Sequence, residues 1–201
     1  MEQELKLGLV HPEDLPRLLD TLPEPHAQIL QENHYLSDPE GRTREAGIMV
    51  RLRVETVEGS SRALLTLKRR LKAQGGVVLS WEKEEDFPLE PARRVAAGLM
   101  DAMEVQQAGV AWLAKALGVT SLRHEGTLKN HRTVILAEGF TLEVDESHFP
   151  DGSVDAEVEV ETEDPEGARS LVRALAAGAK VALFEQERGK YTRYLQRRGC
   201  P

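Results

Sequence analysis

The chain has 201 residues, room for one sizeable domain, and 40% of them are hydrophobic, enough to build a core. Asp and Glu outnumber Lys and Arg by 34 to 26, and the resulting charge of -8 argues against a general binder of nucleic acid or anionic membrane. No run approaches the roughly 18–20 apolar residues of a membrane span. The start Met1-Glu2-Gln3-Glu4 lacks an apolar signal core, and the single Cys200 has no partner for an internal disulfide. A cytoplasmic protein is expected.

Taken in chain order, the dominant pattern has period two. Leu5, Leu7 and Leu9 alternate with Glu2, Glu4 and Lys6 over 2–10. His11-Pro12-Glu13-Asp14 then places Pro and two acids at a first helical turn, predicting a helix to about Thr21. A weaker strand is expected over 29–36. Ile48, Val50, Leu52 and Val54 next alternate with Met49, Arg51, Arg53 and Glu55, and Leu65 and Leu67 with Thr66, Lys68 and Arg70. Glu58-Gly59-Ser60-Ser61 and Gly75-Gly76 read as turns. After another weak strand over 77–86, Val95, Leu99, Met103, Val110, Leu113 and Leu117 show helical spacing through 91–117, with Gly118 as the stop. Strands are expected over 132–137, at Phe140, Leu142 and Val144 against Thr141, Glu143 and Asp145, and at Val154, Ala156, Val158 and Val160 against Asp155, Glu157, Glu159 and Glu161. Asp164-Pro165-Glu166 caps a helix that ends at Gly178, and a short helix carries Tyr191 and Tyr194. Eight strands joined mostly by short turns predict an antiparallel sheet able to close into a barrel, in one α+β domain spanning 1–201.

The charged faces are sorted by sign. Those at 2–6, 141–145 and 155–161 carry carboxylates, and those at 51–53 and 66–70 carry Arg and Lys. A solvated surface gains nothing from such sorting, because mixed charge is better for solubility. If the helices cover the apolar faces, the charged faces point inward, where water, metal ions and a polyanion would have to satisfy them.

Glu2-Gln3-Glu4-Leu5-Lys6 resembles the Glu-x-Glu-x-Lys opening of the CYTH superfamily, the triphosphate tunnel metalloenzymes. Arg51-Leu52-Arg53, Leu65-Thr66-Leu67-Lys68, Arg132, Leu142-Glu143-Val144-Asp145 and Glu157-Val158-Glu159 follow in the family's order, and the tail from Leu142 to Glu166 with Lys190 is similar to the plant tripolyphosphatases. The resemblance implies an eight-stranded barrel, helices outside, that binds triphosphate groups with Mg2+ or Mn2+. Lys6, Arg51, Arg53, Lys68, Arg70, Arg132 and Lys190 would grip phosphate. Glu2, Glu4, Asp145, Glu157 and Glu159 would hold metal, with Glu2, Glu4 and Lys6 at the catalytic centre. Glu143 and Glu161 share the inward parity. Glu82 and Glu84 do so only if Leu79 and Trp81 face the helices, and a one-residue bulge reverses this. Arg70 stands where the plant relatives tend to have Lys.

The implied activity is metal-dependent hydrolysis of inorganic tripolyphosphate to pyrophosphate and phosphate by a monomer or homodimer. Thiamine triphosphatase, class IV adenylyl cyclase and a non-catalytic polyphosphate- or nucleotide-binding module are the alternatives. Aromatic residues make up only 4% of the chain, and just Tyr35 and Phe149 remain as partners for an organic ring. None of the 6 His residues stands in an HxH, HExxH or Cys-paired spacing, so no zinc site is expected. No phosphate loop, calcium loop or nucleophile elbow is present either.

Overall fold

The computed structural model describes residues 1–198; Cys200 lies outside them. Nine strands are present among them: β1 (Glu2–Leu9), β2 (Ala27–Ser37), β3 (Met49–Val57), β4 (Ser60–Gln74), β5 (Val77–Phe87), β6 (Arg123–Ala137), β7 (Phe140–His148), β8 (Val154–Glu161) and β9 (Leu183–Glu185). They form one sheet in the order β5-β4-β3-β2-β6-β7-β8-β1-β9, and β5 also pairs with β1. Eight strands therefore close into an antiparallel barrel, to which β9 is added. The helices are α1 (Leu15–Leu19), α2 (Arg42–Glu45), α3 (Leu89–Ala96), α4 (Ala108–Leu117), α5 (Pro165–Gly178) and α6 (Lys190–Arg197). No helix among the described residues is long and apolar enough to cross a membrane.

The chain divides into two compact units: Met1–Leu30, Leu71–Ser80 and the chain from Lys129 form one, Gln31–Arg70 and Trp81–Leu128 the other. In the first unit, Leu5, Leu7 and Leu9 of β1 join Ile135, Leu142, Val144, Val158 and Val160 in a core closed by Leu15 and Leu18 of α1 and Leu171 and Val172 of α5. Period-two strands and a 3.6-period helix present their apolar faces to one another there. Burying Leu171 and Val172 contributes about 1.5–3 kcal/mol each. The Asp164 side chain accepts the Gly167 N–H at 2.9 Å and starts α5. In the second unit, Val50, Leu52 and Val54 of β3 and Ala63, Leu65 and Leu67 of β4 pack against Ala92 and Val95 of α3 and Val110 and Leu113 of α4.

The long helix expected over 91–117 is three pieces. Gly98 takes φ +71°, which ends α3, and Leu99 is left 72% exposed. The Asp101 side chain then accepts the Met103 N–H at 2.9 Å, capping a 3-10 turn, and the Leu122 N–H at 2.8 Å. The spacing Val95–Leu99–Met103 imitated one helical face across a break. The helix expected to reach Thr21 is likewise a 3-10 turn at Pro12–Asp14 followed by the single-turn α1.

One edge of β1 is shared by two strands. Residues 2–5 pair with β5 and residues 7–9 with β9, while Lys6 bridges the gap by donating its N–H to Gly76 O and accepting from Gln186 N–H. A Cβ on Gly76 would stand 2.8 Å from that Lys6 oxygen, so the close approach requires glycine.

Candidate active site

On β1, β6, β7 and β8 the face opposite the core is charged and mostly buried. Register brings these residues side by side: Lys6 lies across from Glu159, Glu4 from Glu161, Arg132 from Asp145, Asp145 from Glu157, and Glu143 from Glu159. Carboxylates facing one another across a ladder repel, and here cations are threaded between them. Lys6 Nζ is 2.5 Å from Glu159 Oε1 and 2.9 Å from Glu4 Oε2. Arg132 donates Nε and Nη2 to the two oxygens of Asp145 at 2.8 and 2.6 Å, Nη2 also to Glu159 at 2.8 Å, and Nη1 to Glu143. Lys190, the first residue of α6, places Nζ 2.5–2.8 Å from Asp145, Glu157 and Glu159. Asn130 donates to Asp145 at 2.9 Å and accepts from Ser147 at 2.7 Å, fixing that carboxylate from behind.

The electrostatics follow from burial and from this interleaving. Burial alone would push the Lys6 and Lys190 ammonium groups down, but the surrounding carboxylates, Glu159 first for Lys6 and Asp145 first for Lys190, hold both well above the usual lysine range. Burial would likewise raise Asp145 and Glu159, yet Arg132 and Lys190 hold Asp145 low, and Lys190, Lys6 and Arg132 hold Glu159 lower still. Glu143 goes the other way: burial raises it, and Arg132 does not fully offset that.

One donor oxygen each from Asp145, Glu157 and Glu159 lies within 4.8 Å of the others, and all three residues are buried. Glu157 Oε2 is buried with no hydrogen-bond partner among the described residues. An acceptor-only, all-oxygen set with an unsatisfied buried atom fits a hard divalent cation. Three of the five expected metal ligands thus gather. Glu4 stands beside Lys6, Glu2 is half-buried across from Ser80, and Glu161 is exposed across from Glu4.

The second unit carries Arg51, Arg53, Lys68 and Arg70. Arg51 donates Nη2 to Thr66 Oγ1 at 3.1 Å, and Thr66 donates to Glu84 at 2.8 Å. Arg53 donates Nε to Asn33 at 2.8 Å and lies 3.5 Å from Glu55. Lys68 Nζ is 2.7 Å from Glu82. Glu82 and Glu84 therefore share the face of Lys68 and Arg51, which settles the orientation the sequence left open, and Trp81 packs on the core side, 5.5 Å from Trp112. Arg70 is exposed near the end of the polar run of β4. Arg51 Nε is buried with no partner among the described residues, a donor that an anion would satisfy.

Several residues of these clusters escaped the sequence reading. Arg193, 4% exposed, donates to Asp155 and Glu157, both at 2.6 Å, and Arg197 donates to Asp155 at 2.9 Å. With Lys190 they form a basic stripe at spacings of three and four, legible as one face of a helix. Glu55, Arg62 and Gln31 form a second unforeseen cluster, with Arg62 donating twice and Gln31 once to Glu55. Phe149 is not open to a ligand ring, because the Arg197 guanidinium covers it at 4.1 Å.

Among solved structures, a proposed adenylyl cyclase from Hippeastrum that reveals a dominant triphosphatase activity superposes with a TM-score of 0.88 at 24% identity, covering 98% of this chain and 96% of its own. A proposed adenylate cyclase from Bacillus halodurans gives 0.68 at 22%, covering 96% and 99%. A protein from Pyrococcus horikoshii gives 0.62 at 18%, covering 98% and 99%. At these identities the likeness establishes the fold. No curated protein matches the chain in sequence. The CYTH domain profile, however, matches residues 1–189, nearly the entire chain with both charged sets. The chain belongs to the CYTH domain family.

Proposed function

We propose that the protein is a metal-dependent triphosphatase that hydrolyses inorganic tripolyphosphate to pyrophosphate and phosphate. The observation that carries this reading is the trio Asp145, Glu157 and Glu159, buried on strand faces opposite the core and drawn within 4.8 Å. Like charges are not concentrated in a dry place for stability alone. The trio would hold Mg2+ or Mn2+, and Glu2 and Glu4 would join it through water. When bound, the ion supplies positive charge to phosphate oxygens and lowers the cost of charge developing in the transition state.

The protein's own groups do the remaining work. Arg132, bidentate on Asp145, holds that carboxylate ionised and in one orientation, and Asn130 and Ser147 lock it further. Lys6 and Lys190 stay protonated at neutral pH and act as point charges toward phosphate. Arg51, Arg53, Lys68 and Arg70 would also take phosphate oxygens, the three arginines as planar forks. Phosphoryl transfer needs little covalent chemistry from the protein, so positioning and charge carry the rate. The acidic composition and the single cysteine support a cytoplasmic enzyme acting on a small molecule, without nucleic acid or membrane, as a monomer or homodimer.

Tripolyphosphate is preferred because the polar faces offer an organic ring little to stack on. Trp81 and Phe140 pack with the cores, and Phe149 is covered by Arg197. Steady-state kinetics on tripolyphosphate, thiamine triphosphate and ATP test this. The specificity constant should be highest for tripolyphosphate and lowest for ATP. A preference for thiamine triphosphate, or cyclic AMP formed from ATP, would assign the protein to a different activity of the family.

A further inference from the structure

On the opposite face of the strands that carry Arg132 and Asp145 lies a second cluster of metal-binding side chains. Moving away from the turn at Glu138-Gly139, the core-side pairs of β6 and β7 are Ala137–Phe140, Ile135–Leu142 and Thr133–Val144, then His131–Glu146 and Lys129–His148. Ile135, Leu142 and Val144 are buried in the first core. Beyond them the cover ends, and His131 and His148 are exposed with Glu146 half-buried. One donor atom from each of these three residues lies within 4.8 Å of the others. Glu146 Oε1 and His148 Nε2 are 3.3 Å apart, and the two imidazoles meet edge to face with centroids 5.7 Å apart.

We propose that His131, Glu146 and His148 form a binding site for a borderline divalent transition-metal ion, Zn2+ foremost, separate from the carboxylate trio. Zn2+ takes imidazole nitrogen and carboxylate oxygen at about 2.0–2.2 Å, so donors around a tetrahedral ion stand roughly 3.3 Å apart. Glu146 and His148 already have that separation, and His131 reaches it by side-chain rotation, because its backbone is fixed directly opposite Glu146. Three protein ligands leave at least one position for water, the pattern of an open site. The donor sets differ in kind: two nitrogens and one oxygen here suit Zn2+, whereas the all-oxygen trio suits a harder ion. The exposed Lys129, across from His148, weakens the site by like charge and sets it below a closed structural zinc centre. Its ligands come from two strands and only Glu146-x-His148 is local in sequence, so no contiguous motif marks the site.

An ion here would also clip β6 to β7 one residue away from the Arg132–Asp145 pair, so binding should raise thermal stability. The test is calorimetric titration of the wild-type protein with Zn2+ in a non-chelating buffer containing excess Mg2+, which competes for the carboxylate trio. One Zn2+ per chain should bind, and His131→Gln and His148→Gln should each weaken it at least tenfold, with the metal-free melting temperature unchanged because both side chains are exposed. Undiminished Zn2+ binding in the double variant would overturn the proposal, as would loss of that binding in Glu157→Gln with both histidines intact. A second measurement needs no variant: substoichiometric Co2+ should broaden the ring resonances of two of the 6 histidines first, His131 and His148. Broadening confined to other residues would contradict the site. Neither experiment depends on triphosphatase activity, so the two readings stand or fall separately.

Discussion

Glu55 illustrates how single residues on the polar face are held. It is 5% exposed and accepts from Arg62 at 2.8 and 3.0 Å and from Gln31 at 2.9 Å. Burial would raise its carboxyl, but Arg62, Arg53 and Gln31 together bring it below the ordinary 4.5. A depressed carboxylate contributes stability that is fully present above the unfolded value and is lost as pH falls through the folded one. Glu55→Gln should therefore cost about 1.5–3 kcal/mol at neutral pH, and the gap from wild type should narrow in denaturant unfolding carried out well below 4.5. An equal gap at both pH values would deny the pairing its role. Arg53 supports a second expectation. Arg51, Arg53, Lys68 and Arg70 gather positive charge on neighbouring strands that Glu84, Glu55 and Glu82 offset in part, and the proposed polyanion would relieve the rest. Tripolyphosphate at 100 times its Kd adds about 2.7 kcal/mol, roughly 5–10 °C in melting temperature for a chain of this size. Arg53→Ala should cut that rise by more than half at the same ligand concentration; an undiminished rise would remove Arg53 from the phosphate grip. Strand parity made the charged residues of both faces readable from the sequence. The neutral groups that orient them, Gln31, Asn33, Asn130 and Ser147, carry no sign and so gave no pattern.

At the level of elements, α6 is held by charge. Lys190, Arg193 and Arg197 lie on one side of it and reach Asp145, Asp155, Glu157 and Glu159. Arg193 is the buried member, with burial lowering and Glu157 and Asp155 raising its guanidinium, to a net rise. Removing one partner of a buried pair strands the other, so Arg193→Ala should cost about 3 kcal/mol, a fall of roughly 6–12 °C in melting temperature. A fall of under about 2 °C would show that α6 is held by something other than these pairs. The helix itself was legible from Tyr191 and Tyr194, and its basic stripe is present in the spacing of positions 190, 193 and 197. The 91–117 segment failed for the opposite reason: periodicity continued through Gly98, whose backbone does not. Asp38 made a third local feature hard to see. It accepts from the Arg42 and Thr43 N–H groups and the Thr43 hydroxyl at 2.6–2.9 Å, starting the four-residue α2, too short to show a period.

Across the whole molecule, alternation in five segments with three weaker strand candidates was enough to indicate an antiparallel sheet, and family resemblance supplied its closure. The pairing of β1 with β5 that completes the ring joins residues 2–5 to residues 77–80, a contact with no signature in local sequence. The three-residue β9 was equally silent, being too short to alternate. The inward-facing charged set was inferred from the sorting of signs along the alternating strands; Lys6, Arg132, Asp145, Glu157 and Glu159 are all under 9% exposed, whereas Glu161 and Arg70 are exposed. Buried charge of this density is held by its internal counter-ions, and the proposed chemistry would add a divalent ion and a polyanion to it. Hydrolysis of tripolyphosphate by the wild-type protein, followed as phosphate release with and without excess chelator, tests that use most directly. Release should cease when chelator removes divalent ions and return when Mg2+ or Mn2+ is added beyond the chelator. Turnover that persists undiminished in excess chelator would contradict the account.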